Sequence, residues 1–183
     1  LGEIKYLLKI EIARDRAKRT LTMSQHRYIV DLLYKYDMLD TQSVLTPQAC
    51  NTVLEPEEGM TPKQMKEQKF PYTELIGSLA HLERGPRPDI DNSIRVLSKY
   101  LTRYKESHWL AALRVLKYLK GTLHYGLVYD GRVTDKITYE LYSDASFGNP
   151  DEQRKSVTGY CVMMTGGPVS TRTTKQGNVT IST

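Results

Sequence analysis

One acid stands out by its setting. Asp144 sits in the run Tyr142-Ser143-Asp144-Ala145-Ser146, which reads as a strand, and glycine-punctuated strands follow it. A strand that carries an acid toward its end is a common platform for metal-ion chemistry, in which a divalent ion held by oxygen ligands activates water or steadies a leaving group. That chemistry takes several carboxylates, and only one obvious ligand is present here. The plainer reading of Asp144 is an acid that caps a turn, and the residues alone leave both open. Asp151, in a loop beside Arg154 and Lys155, reads as a surface acid paired with them, the alternative being an acid that lies near a substrate.

The second pattern is positive charge. The net charge is +5 and the isoelectric point about 9.1, which favours a polyanionic partner without requiring one. Between residues 94 and 129 the bases Arg95, Lys99, Arg103, Lys105, Arg114, Lys117 and Lys120 face a single acid, Glu106. Residues 54–74 hold five glutamates against three lysines, so the positive charge is concentrated in the middle of the chain. A track of bases suits phosphate contacts, which need charge but no base-reading amides. A solvated helix face is the alternative. Arg14, Arg16, Lys18 and Arg19 form a smaller group. His26, His81, His108 and His124 lack ligand spacing, and Cys50 and Cys161 match no zinc or redox motif, reading as reduced thiols of an intracellular protein. No apolar run approaches the ~20 residues that span a bilayer, so the expected partners include no membrane.

These groups need elements to place them. Ile4, Tyr6, Leu8, Ile10 and Ile12 alternate as one half-buried strand, residues 14–19 turn, and 20–23 return, making a hairpin with a basic tip. Ser24 is positioned to cap a helix with Tyr28, Ile29, Leu32, Leu33 and Tyr36 on one face. Residues 41–70 lack periodicity and read as a long loop. Pro71 opens a helix with Tyr72, Leu75, Ile76, Leu79 and Leu82 inward, in which Gly77 admits a close neighbour. Asp89 caps a helix burying Ile90, Ile94, Leu97 and Leu101. Ser107 caps another, running to Lys120 with Gly121 as its stop and Trp109, Ala112, Leu113, Leu116 and Leu119 as its stripe. That phase displays Arg114 opposite the stripe and Lys117 to one side. Short strands follow over 126–129, 139–143, 156–164, 168–173 and 178–182, with a boundary near 133–137. Tyr28, Tyr36, Tyr72 and Tyr100 lie on apolar helix faces and read as core residues with the hydroxyl at the rim. The abrupt start at Leu1-Gly2-Glu3 and the end at Ile181-Ser182-Thr183 read as those of a piece of a longer chain.

Several phrases occur in register: Ile76-Gly77-Ser78-Leu79, Arg87-Pro88-Asp89-Ile90, Leu97-Ser98-Lys99-Tyr100, His108-Trp109, Arg114-Val115-Leu116-Lys117-Tyr118-Leu119-Lys120-Gly121-Thr122, Ser143-Asp144-Ala145, Arg154-Lys155-Ser156 and Gly159-Tyr160. In that order the chain resembles, over nearly its whole length, the Pol polyprotein of copia-type long-terminal-repeat retrotransposons. The resemblance implies an α+β fold: a β-hairpin and thumb-like helix at the end of reverse transcriptase (1–40), a linker loop (41–70), a helical connection (71–132) and an incomplete ribonuclease H-like antiparallel sheet (133–183). It further implies that the palm's aspartate pair lies upstream and that Asp144 is the first-strand acid of ribonuclease H. There two Mg²⁺ ions about 4 Å apart would act with a glutamate that comes after Thr183. The implied partners are an RNA/DNA hybrid or primer-template duplex and the rest of the Pol polyprotein. The implied location is a cytoplasmic virus-like particle and the nucleus.

The chain departs from the pattern at Lys9, where the family has glycine beside the primer end. It departs also at Phe147 and Thr171, where tryptophan is usual, and at Arg172-Thr173-Thr174, which replaces a serine and lysine run. The expected role is nucleic-acid holding plus one metal-ligand aspartate, with neither polymerase nor nuclease activity in this chain alone. The alternatives are a non-enzymatic module that binds nucleic acid or protein, or an inert relic of a decayed element.

Overall fold

The computed structural model describes residues 2–49, 54, 61, 63–64, 67, 70–132, 138–146 and 155–177. Cys50, the boundary at 133–137, Phe147, Asp151, Arg154 and the expected strand at 178–182 lie outside them. The architecture is α+β, as expected, with four helices and two antiparallel sheets among the described residues. Two compact units divide the chain: Leu1–Ser24 with Gly126–Thr183, and Gln25–Tyr125.

The discontinuous unit begins with β1 (Tyr6–Leu7), β2 (Ile10–Asp15) and β3 (Thr20–Ser24). The single strand expected over 4–12 is in fact a tight hairpin, with Leu7 paired to Ile10 and the two-residue turn Leu8-Lys9 between them. Such a turn reverses the parity of the faces. Ile10 and Ile12 therefore share a face with Leu7 and Lys5, not with Tyr6, and simple alternation misreads the segment. Leu8 (φ 49°) and Lys9 (φ 64°) both have positive φ, which the primed type I turn demands and which glycine or asparagine adopts at least cost. Lys9 is thus a left-handed residue. Lys9→Gly is expected to stabilise the hairpin by about 1 kcal/mol and to slow amide exchange at Ile12, whose N–H donates to the Lys5 carbonyl at 2.9 Å. Unchanged exchange would show that the turn carries no strain.

The second turn, Arg16 to Arg19, is held by Asp15, whose Oδ1 accepts from the Lys18 N–H at 2.9 Å. Strand β4 (Leu127–Asp130) then pairs antiparallel with β3, a long-range pairing that no local periodicity announces. The second sheet is β5 (Tyr139–Ser146), β6 (Val157–Met164) and β7 (Gly167–Lys175). It docks on β4 at the turn between β6 and β7. Asp130 N–H donates to Thr165 O at 2.9 Å and the Tyr129 hydroxyl to Pro168 O at 2.7 Å. Gly167 allows this approach, since a Cβ there would lie 2.7 Å from both Val128 O and the Tyr129 ring. Every fully buried apolar side chain among the described residues lies in the other unit. Tyr139, Leu141 and Tyr142 are exposed on β5, and this unit rests on strand pairing more than on a core.

The Gln25–Tyr125 unit contains α1 (His26–Lys35), α2 (Tyr72–Glu83), α3 (Asp91–Leu97) and α4 (Glu106–Gly121), with 3₁₀ turns at Pro88–Ile90 and Ser98–Tyr100. The apolar faces of α1 and α2 are buried as their spacing predicts. On α4 the buried stripe is His108, Ala112, Val115, Leu116 and Leu119, while Trp109 and Leu113 are half-buried. The caps differ from expectation. Ser24 belongs to β3, and Gln25 takes the N-cap of α1. Asp89 is spent on Arg87 rather than on a cap. Helix α4 starts at Glu106, before Ser107. Gly77 has open space around it, whereas Gly121 ends α4 in helical conformation and admits Ser43, whose Cβ would lie 3.1 Å from an added Cβ. Residues 41–49 carry no helix or strand and lie against α4 through that contact. Tyr72 is fully buried, its hydroxyl donating to Leu97 O at 2.8 Å rather than reaching the rim.

Candidate functional site

Asp144 lies on β5, opposite Gly159 of β6, which in turn faces Thr173 of β7. It is exposed. Because side chains alternate along a strand, Tyr142 and Glu140 share its face. Four residues of strand put Glu140 about 13 Å away, too far to share an ion, and Glu140 accepts a hydrogen bond from the Tyr142 hydroxyl at 2.7 Å. No three potential ligands cluster anywhere among the described residues. One carboxylate does not make a Mg²⁺ site, so the donor set described here does not by itself fit that ion.

The bases fall on both units. Arg14 is exposed on β2, and Arg16 is exposed in the hairpin turn with its Nε donating to Glu3 Oε1 at 3.2 Å. In the helical unit, Arg95 on α3 is half-buried and donates to Asn92 Oδ1 at 3.0 Å, and Lys99 is exposed in the second 3₁₀ turn. Arg114, Lys117 and Lys120 are not displayed as the helical phase implied; all three are half-buried. The reason is the aperiodic segment before α2. Lys120 Nζ donates to Thr41 O at 2.5 Å and Arg114 Nη2 to Thr46 Oγ1 at 3.1 Å. Arg114 and Lys117 meet at the wall of one cavity.

Sequence reasoning missed the best-organised polar cluster. Arg87 is completely buried. Its guanidinium forks onto Asp89 (Nε to Oδ1 2.9 Å, Nη2 to Oδ2 2.7 Å) and reaches Thr122 O at 3.1 Å and Thr122 Oγ1 at 2.6 Å. The rings of Tyr118 and Tyr125 lie 5.6 and 5.7 Å from it, and the Tyr118 hydroxyl donates to Asp89 Oδ2 at 2.8 Å. This cluster ties the start of the α3 segment to the end of α4. The available signal was the phrase Arg87-Pro88-Asp89, in which proline holds the two charges in a tight arrangement.

His108 is also fully buried. Its Nδ1 accepts the Lys105 N–H at 3.0 Å, which puts the ring proton on Nε2, where it has no acceptor. Burial, helped by the Lys105 charge, holds its pKa below the ordinary 6.5. The unfolded chain therefore binds the proton first as pH falls through about 6.5. Stability is expected to drop below that pH and to level off once the folded ring protonates as well. The urea midpoint at pH 7.5 and pH 5.5 tests this. His108→Gln keeps an acceptor for the cap without titrating and should reduce the difference; an equal difference in that variant would assign it elsewhere.

The fold and these groups define an α+β protein with basic helical segments and a strand whose acids Glu140 and Asp144 both face solvent. Comparison with known proteins makes this particular. The chain is 34% identical, over its whole length, to a retrovirus-related Pol polyprotein from transposon TNT 1-94 of Nicotiana tabacum. It is 32% identical over 97% of its length to one from transposon RE2 of Arabidopsis thaliana. A secreted RxLR effector protein 161 of Plasmopara viticola is 38% identical over 61% of the chain and 78% of that protein. No family model matches the chain, and no solved structure does. The chain belongs to the Pol polyprotein family of copia-type retrotransposons. It spans 14% of the length of the tobacco relative and 12% of the Arabidopsis one.

Proposed function

We propose that this chain is the part of a copia-type Pol polyprotein that follows the reverse-transcriptase palm, and that it holds an RNA/DNA hybrid or primer-template duplex by its phosphates. The observation that carries the reading is the co-linear similarity to Pol polyproteins along the whole chain; the bias of bases over acids across 94–129 supports it. Lys99, Arg95 and the hairpin bases Arg14 and Arg16 make the contacts. Arg114, Lys117 and Lys120, partly covered, add longer-range attraction. Coordination of Mg²⁺ at Asp144 belongs to a longer Pol chain that supplies further carboxylates, in the setting of a virus-like particle and nucleus.

The test is duplex affinity against salt. Log affinity should fall linearly with log salt, and Lys99→Ala and Arg95→Ala should each reduce the slope by about 1. Binding indifferent to salt would overturn the reading. A second reading, a non-enzymatic binding module, draws on the effector protein of Plasmopara viticola, most of whose length is covered by its similarity to this chain. Salt-insensitive capture of a protein partner would favour it.

A further inference from the structure

The helical unit holds a cavity of about 510 Å³ between residues 38–49 with Leu54, α3 and α4, a size ordinary for small-molecule sites. Met38, Leu54, Leu97 and Leu113 supply apolar wall, and Arg114 and Lys117 bring two cations to it. Among the described lining residues there is no aspartate or glutamate. Arg114 is half-buried and donates through Nη2 to one hydroxyl, Thr46 Oγ1, at 3.1 Å. Among the described residues this guanidinium has no carboxylate beside its apolar wall, and desolvated charge is costly until paired.

We propose that this cavity is a binding site for an apolar monocarboxylate: a ligand whose carboxylate sits on Arg114 and Lys117 while its hydrocarbon body lies along Met38, Leu54, Leu97 and Leu113. The charge selects an anion, and guanidinium matches carboxylate geometry in a fork. The walls select an apolar body, since covering them removes hydrocarbon surface from water. A phosphodiester would satisfy the cations and leave the walls wet. A nucleobase would find no aromatic ring among the described lining residues on which to stack. Duplex contacts fall on Lys99, Arg95, Arg14 and Arg16, where Arg114 and Lys117 add only longer-range attraction, so the cavity site stands or falls separately from the duplex reading.

The experiment titrates the full chain, ¹⁵N-labelled, with decanoate, decan-1-ol and inorganic phosphate, following amide shifts by NMR. Decanoate is expected to give saturable shifts concentrated at Leu110, Leu113, Arg114 and Lys117, binding at least about tenfold more tightly than decan-1-ol, with phosphate leaving those amides unmoved. Arg114→Gln should weaken decanoate about tenfold and leave decan-1-ol unchanged; should that variant not fold, Lys117→Gln carries the same expectation. Equal affinity for decan-1-ol overturns the proposal, as does decanoate binding indifferent to both substitutions or phosphate binding as tight as decanoate. Saturable decanoate binding in a chain whose duplex binding ignores salt upholds this proposal and sinks only the other.

Discussion

Arg87→Ala is expected to lower the stability of the Gln25–Tyr125 unit by about 3–5 kcal/mol, the cost of breaking a buried ion pair from one side. The truncation would orphan several polar groups. Asp89 would keep its charge with the Tyr118 hydroxyl as its remaining described partner, and the Thr122 carbonyl would lose the guanidinium that satisfies it. A cavity the size of the largest fully buried side chain would open as well. Domains of this size are stable by roughly 5–15 kcal/mol, so the variant stands near its unfolding threshold at 37 °C. Trp109 packs between Phe70, 5.6 Å away and stacked, and Tyr36, 5.9 Å away; its fluorescence in urea reads the effect. Arg87→Lys should fall between, keeping charge but losing the fork. The double variant Arg87→Met with Asp89→Leu should cost less than Arg87→Ala alone. A shift below about 1 kcal/mol for Arg87→Ala, the size of an exposed pair, would refute the buried role.

Gly126→Ala should be the most damaging glycine substitution in the strand unit. An added Cβ would lie 2.3 Å from the Met23 carbonyl oxygen and 3.2 Å from Ser24 Cβ. The first of these is backbone, and Met23 is paired to Leu127, so relief requires the β3–β4 ladder to part. Overpacking of this kind costs about 1–3 kcal/mol. Amides of β3 and β4 should lose exchange protection while Trp109 fluorescence stays native. Gly77→Ala is the control: its Cβ meets nothing within 4 Å, and in a helix interior it should stabilise by about 0.5–1 kcal/mol. If both alanines behave alike, the close approach at Gly126 is not there.

What could be read in advance follows the range of the forces involved. The faces of α1 and α2 were legible from Tyr28, Ile29, Leu75 and Leu79, because a helix writes its burial at a spacing of three and four. The runs now seen as β5, β6 and β7 were legible for the same reason at a spacing of two. Leu8-Lys9 was not, since nothing in its residue types favours positive φ, and the parity change hides inside an alternating run. The β3–β4 pairing was invisible because it depends on residues far apart in sequence. At the site, the position of Asp144 on its strand was readable, but the covering of Arg114 and Lys120 was not. It comes from Thr41 and Thr46 in a segment without period. Arg87 was readable as part of the phrase Arg87-Pro88-Asp89-Ile90 and not as a buried hub, since its partners Tyr118 and Thr122 are over thirty residues away.

The interruption of the strand unit has a kinetic meaning. During synthesis β1 to β3 emerge early, yet the neighbour that completes their sheet is made about a hundred residues later. Closing a flexible span of that length would oppose assembly by about 4 kcal/mol. Once the helices have formed, the span is no longer flexible: His26 Nδ1 donates to the Leu123 carbonyl at 3.3 Å, so its two ends are already side by side. The helical segment therefore serves as a template that delivers one strand to another. Its melting should release the ladder beyond it, even though no residue of that ladder has been altered.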